Sequence, residues 1–327
     1  MPARMPRGST MLRLAFALVF IAALTSLRTA QPVAAADAPS CRTVRFADVG
    51  WTDIAATTAS ASVVLQGLGY KTTTQIVSVP VVFLGLKKKD LDVFLGTWMP
   101  TMEPFVAPHR ADKSIEVVRA NLEGAKYTLA VPKYAAESGL RDFSDIAKFK
   151  DKLDGKIYGI EAGNDGNLII ERMIKANAFG LKDFTLVESS EAGMLSQVKR
   201  AVRAKQWVVF LGWAPHPMNR SIDMTYLTGG DEWFGPNLGA ATVYTAVPAG
   251  YPESCPNVGR LLKNLVFSLD MENEIMSTIL DEKQQPEPAA EDWLKKNPKV
   301  LEAWLAGVTT VDGQDGLAAV KKHLRVS

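Results

Sequence analysis

Two stretches decide how this 327-residue chain folds: Val93-Phe94-Leu95-Gly96-Thr97-Trp98-Met99-Pro100 and Val209-Phe210-Leu211-Gly212-Trp213-Ala214-Pro215. Each reads as a buried-type strand that stops at glycine and then presents a tryptophan in a loop. Open α/β sheets place their ligand contacts at strand ends. Two half-sites that each offer a tryptophan predict a cleft between two similar lobes, and a ligand attracted to aromatic faces.

The surrounding pattern agrees. Residues 43–48 read as a strand, 53–67 as a helix, 75–79 as a strand and 91–95 as a third strand. Pro80 sits where the first turn of a helix tolerates it. This β-α-β-α-β order predicts a parallel sheet with helices on both faces. A second such run begins near Tyr127, with strands at 156–160, 184–187 and 207–211 and helices at 165–179 and 191–204. One more strand, 241–247, precedes a helical C-terminus in which Trp293 and Trp304 read as core. The expected division is a signal peptide at 1–36, a first lobe at 37–126, a second lobe at 127–230, and a return to the first lobe at 231–327.

The N-terminus carries the export signal. Arg4, Arg7 and Arg13 precede the apolar run 14–24, and Val33-Ala34-Ala35-Ala36 ends in an A-x-A pattern, so cleavage is expected near Ala36 and the mature protein is expected to be soluble in the periplasm. Residues 1–36 hold four of the 37 basic residues and none of the 35 acidic ones, so the remainder carries a formal charge of −2. No basic surplus points to nucleic acid. Cys41 and Cys255 are the two cysteines. In an oxidising compartment a disulfide is the default expectation, with two buried thiols as the alternative. A disulfide would place the C-terminal segment in the first lobe.

Catalytic signatures are missing. There is no P-loop, no G-x-S-x-G, no H-E-x-x-H and no C-x-x-C. His109, His216 and His323 are scattered, and no metal or catalytic role is assigned to them; His216, between two prolines, reads as a loop histidine near a pocket. Asn164-Asp165-Gly166-Asn167 resembles a calcium loop but lacks the later acids. The expectation is a binding protein, not an enzyme, with no cofactor and no metal.

The predicted strand ends gather a different chemistry. Trp51, Asp53 and Trp98 come from the first lobe, Asn164 and Trp213 from the second, and Tyr127 from the crossing. A quaternary ammonium has no N–H to donate, so aromatic faces must hold it, at roughly 0.5–2 kcal/mol each. An ionised Asp53 would supply the counter-charge at the positive end of a helix, and Asn164 would reach a polar group at the other end of the ligand. One acid and one amide suit choline better than a zwitterion such as glycine betaine, whose carboxylate the acid would oppose.

Gly50-Trp51-Thr52-Asp53, the stretch 92–102, Asn121-Leu122-Glu123-Gly124-Ala125-Lys126-Tyr127, the stretch 159–167 and Phe210-Leu211-Gly212-Trp213-Ala214-Pro215-His216-Pro217-Met218 together resemble the choline-binding members of the glycine betaine/choline class of ABC-transporter substrate-binding proteins. The resemblance covers essentially the whole chain after the signal peptide. It implies an α/β, two-lobed type II periplasmic-binding-protein fold that closes on choline in the interlobe cleft, working as a monomer with a membrane permease. It implies an aromatic box of Trp51, Trp98, Tyr127 and Trp213, an acidic contact at Asp53, a hydroxyl contact at Asn164, and a Cys41–Cys255 disulfide. Glycine betaine or acetylcholine on the same fold, and an exported enzyme acting on choline esters, are the alternatives.

Overall fold

The computed structural model describes residues 1–3 and 37–327. The expected signal peptide therefore lies outside the described residues except at its first three positions. The chain forms β1 (Thr43–Asp48), α1 (Thr52–Gly67), β2 (Lys71–Ile76), α2 (Val79–Lys88), β3 (Phe94–Met99), β4 (Ile115–Pro132), β5 (Lys156–Tyr158), β6 (Thr185–Val187), β7 (Phe210–Ala214), β8 (Met224–Tyr226) and β9 (Ala240–Pro248), with further helices between and after them.

Both β-α-β-α-β runs fold the same way. β1 pairs in parallel with β2 and bridges through Phe46 to Val93, just before β3. β5 pairs in parallel with β6 and, at Tyr158, with β7 at Phe210. The first strand of each run is thus central. Between the runs the sheet turns antiparallel, in the order β3-β9-β4-β7-β5-β6. An all-parallel expectation misses this because β4, 18 residues long, is the strand least visible in the sequence. Its first part pairs with β9 and its last part with β7, and Lys126 is the residue that pairs with both.

Trp98 and Trp213 lie inside β3 and β7, not in loops beyond them. The glycines do not stop the strands. A Cβ on Gly96 would come within 2.4 Å of Ile54 of α1, and one on Gly212 within 3.0 Å of Ala130 of β4. They are close-approach positions within strands. Each strand ends instead at proline, which has no N–H for a ladder.

α1 is buried along nearly its whole length, from Asp53 to Leu65. Its small residues let the C-terminal helices Leu269–Leu280, Pro286–Lys296 and Gly316–Leu324 pack against it. The Cys41–Cys255 disulfide forms, with a Cα separation of 5.7 Å, tying the segment before β1 to the start of the helical C-terminus. Trp304 is core, donating its indole N–H to the carbonyl of Val266 at 3.1 Å.

Candidate functional site

Where the two runs face each other, Trp51, Asp53, Trp98, Tyr127, Ile160 and Trp213 line one small cavity. Each wall is set by its element. Trp51 is the residue before α1, after the turn at Gly50 (φ +83°). Trp98 stands at the end of β3. Tyr127 and Trp213 are direct partners across the antiparallel β4–β7 ladder, and directly opposite residues project to the same face. Their ring centroids are 6.4 Å apart at 79°, and Tyr127 lies 6.0 Å from Trp98 at 61°. Phe234 supports the far side of the tyrosine ring at 6.0 Å, edge to face. All four walls are buried. An isolated core aromatic needs no other role, but here four of them line one cavity.

Among the described residues, Asp53 is the only acid in this lining. Its Oδ2 accepts the Trp98 indole N–H at 3.2 Å, and its Oδ1 has no hydrogen-bond partner among the described residues. Burial pushes the carboxyl up to about 8; the neighbouring Glu191 adds to the rise, while the backbone N–H of Ile54 opposes it. The sequence reading took Asp53 as ionised. Burial instead favours the protonated form at neutral pH, and a cation beside Oδ1 would favour loss of that proton.

Asn164 does not line the cavity. It caps the helix Asp165–Lys175, its Oδ1 accepting the N–H of Asn167 at 2.9 Å and the Tyr127 hydroxyl at 3.3 Å. Its amide N–H donates to the Glu161 carbonyl. Asn164 therefore fixes the outer end of Tyr127. The calcium-loop flavour of 164–167 is this N-cap.

Sequence reasoning missed several residues here. Ile160 gives the cavity an apolar floor. Glu161 accepts the Trp51 indole N–H at 2.8 Å, and burial raises its carboxyl to about 7. Asp165 is raised by burial to about 6, with the Thr101 hydroxyl opposing. His216, expected as a bland loop residue, is buried, 3.1 Å from Glu191 and packed on Trp213 with centroids 5.0 Å apart. Glu161 and Asp165 sit within a stretch already singled out, so position was their available signal. Nothing local marks Glu191, which opens an ordinary amphipathic helix.

Residues 42–296 match the family described as the substrate binding domain of ABC-type glycine betaine transport systems. The chain is similar to a solved ABC-transporter choline binding protein in complex with choline, at 61% identity and TM-score 0.87, covering 88% of this chain and 100% of that one. It is also similar to an ABC-transporter choline binding protein in an unliganded semi-closed conformation, at 61% identity and TM-score 0.81, covering 87% and 99%. The glycine betaine/carnitine transport binding protein GbuC of Listeria monocytogenes is 30% identical over 165 residues, half of this chain and 54% of that protein. The curved sheet with flanking helices has the type II periplasmic-binding-protein architecture of the two choline-binding structures.

Proposed function

This chain belongs to the substrate-binding family of ABC-type glycine betaine transport systems, and we propose that the ligand it carries to its cognate permease is choline. The family is one of non-catalytic extracytoplasmic binding proteins. The observation that carries the ligand assignment is the cavity itself, four aromatic side chains around one carboxyl oxygen that has no partner. A trimethylammonium would lie against the faces of Trp51, Trp98, Tyr127 and Trp213, with Asp53 Oδ1 beside it. Four faces at roughly 0.5–2 kcal/mol each supply about 2–8 kcal/mol. Micromolar binding needs about 8 kcal/mol, so the Asp53 charge and burial of the methyl groups supply the remainder. Asn164 is the hydroxyl contact we assign, reached only if its amide exchanges a bond to Asn167, Tyr127 or Glu161 for the ligand. The 61% identical relative solved with choline supports the same reading.

Glycine betaine is the second reading, favoured by the family description and by the name of the Listeria relative. Its carboxylate needs donors. The two indole N–H groups of Trp51 and Trp98 are already given to Glu161 and Asp53, and among the described residues no Lys or Arg lines the cavity. Calorimetric titration with choline, acetylcholine and glycine betaine tests the assignment. Choline should bind most tightly, and a preference for glycine betaine would overturn it.

We assign the lobes as 37–126 with 231–327, and 127–230. The partner change of β4 at Lys126 supports the first crossing, and the packing of the C-terminal helices on α1 supports the return. The N-terminal 36 residues are assigned as a signal peptide cleaved near Ala36, on the charge and A-x-A pattern given above.

A further inference from the structure

We propose that Glu191, oriented by His216, is a positioning residue that ties the two halves of the aromatic box together and sets how long the ligand stays. The proposal rests on the box being a cation site that closes around its ligand.

The geometry begins at the N-terminus of α1. Its first N–H groups have no partner within the helix, and Trp51 at the cap position offers no side-chain acceptor. Glu191 supplies one from the other run, 139 residues away in sequence. Its Oε2 accepts the Thr52 N–H at 2.9 Å, and its Oε1 accepts the Thr52 hydroxyl at 2.5 Å. The same Oε1 lies 3.1 Å from Nε2 of His216. His216 Nδ1 accepts the Met218 N–H at 2.9 Å, so Nε2 carries the ring proton and donates it to Glu191. One buried carboxylate thus holds three donors, and a charged acceptor makes each bond stronger than a neutral one.

Those donors lead to the walls. Thr52 lies between Trp51 and Asp53. His216 packs on the ring of Trp213. A single side chain therefore fixes two tryptophans and the acid relative to each other, and Trp51 is tied a second time through Glu161. Glu191 is not needed by its own helix, because the Ser190 hydroxyl accepts the Gly193 N–H at 3.1 Å and caps that end. The bonds to Thr52 join parts of the chain that separate when the box opens. They stabilise the closed form and leave the fold of either half intact. Their loss is expected in the dissociation rate, which requires opening, more than in the association rate.

Stopped-flow tryptophan fluorescence with choline and with glycine betaine, on wild type, Glu191→Ala and Glu191→Gln, tests this, together with amide exchange at Thr52. Glu191→Ala should raise the dissociation rate at least about tenfold while the association rate changes less than about threefold. Glu191→Gln, which keeps one acceptor oxygen, should fall between. The Thr52 amide should exchange faster in Glu191→Ala while the core amides of β4 stay protected. A dissociation rate within twofold of wild type overturns the proposal, as does loss of protection across β4, which would mark general damage. If wild type binds neither probe, the ligand reading falls. Thr52 exchange then decides the tie alone, and unchanged protection in Glu191→Ala overturns it.

Discussion

At Asp53 burial and ligand charge act in opposite directions on one carboxyl. Burial raises it to about 8, and a quaternary cation against Oδ1 favours the ionised form. Below pH 8 the free protein therefore binds a cation by releasing a proton. Affinity for choline should rise with pH between 6 and 8, by at most tenfold per unit, and level off above. Calorimetry at pH 7 in two buffers of different protonation enthalpy checks this; equal apparent enthalpies would remove Asp53 as the titrating group. Asp53→Asn should weaken binding and flatten the profile. The tryptophans respond differently. Trp213 is buried, so alanine would leave a cavity costing several kcal/mol of stability. Trp213→Leu keeps apolar volume and removes the aromatic face, and should weaken choline binding about tenfold, about 1.4 kcal/mol. Trp213→Phe should lose less, and an unchanged affinity in the leucine variant would take Trp213 out of the box.

Elements place these side chains, and the helix Asp165–Lys175 shows how tightly. A Cβ on its Gly166 would stand 2.0 Å from the Tyr127 hydroxyl. The methyl must displace a buried tyrosine, so Gly166→Ala should lower the unfolding temperature by a few degrees as well as move the ring. Choline affinity should drop at least about tenfold, measured beside thermal unfolding of the same sample. The elements also show what the sequence could tell. β1 and α1 were legible almost to the residue, because a short apolar strand meets a glycine turn and a long run without proline follows. The tryptophans that line the cavity stood out because the chain has only seven and three of them fall close to strand ends. β4 was not, since Glu116, Arg119, Glu123 and Lys126 interrupt its apolar pattern and Gly124 reads as a break. Its structure comes from partners on both sides, β9 and then β7, and partners far along the chain leave no local trace. Glu191 was hidden for the same reason, its role depending on Thr52 in another run.

Across the whole molecule, the acids around the box make stability depend on pH and on ligand. Asp53, Glu161 and Asp165 are raised to about 8, about 7 and about 6, in each case first by burial. A carboxyl whose pKa is higher in the folded than in the unfolded chain binds its proton more tightly when folded. Its contribution to stability is complete below the unfolded value, near 4, and is lost as pH rises through the folded value. The free protein should therefore become less stable from about pH 4 to pH 8, most steeply near about pH 5–6, where all three carboxyls hold their protons only in the folded chain. A drop of about 1 kcal/mol corresponds to roughly 2–4 °C in a chain of this size, and the three groups together should exceed it. A bound cation stabilises the ionised form of Asp53, so choline should raise the unfolding temperature more at pH 8.5 than at pH 6. Thermal unfolding at the two pH values, with and without saturating choline, measures both effects. A free protein equally stable at pH 6 and 8.5 would mean that these carboxyls do not carry the strain of an uncompensated buried charge. The pH dependence of the ligand's stabilisation would then have to come from elsewhere in the chain.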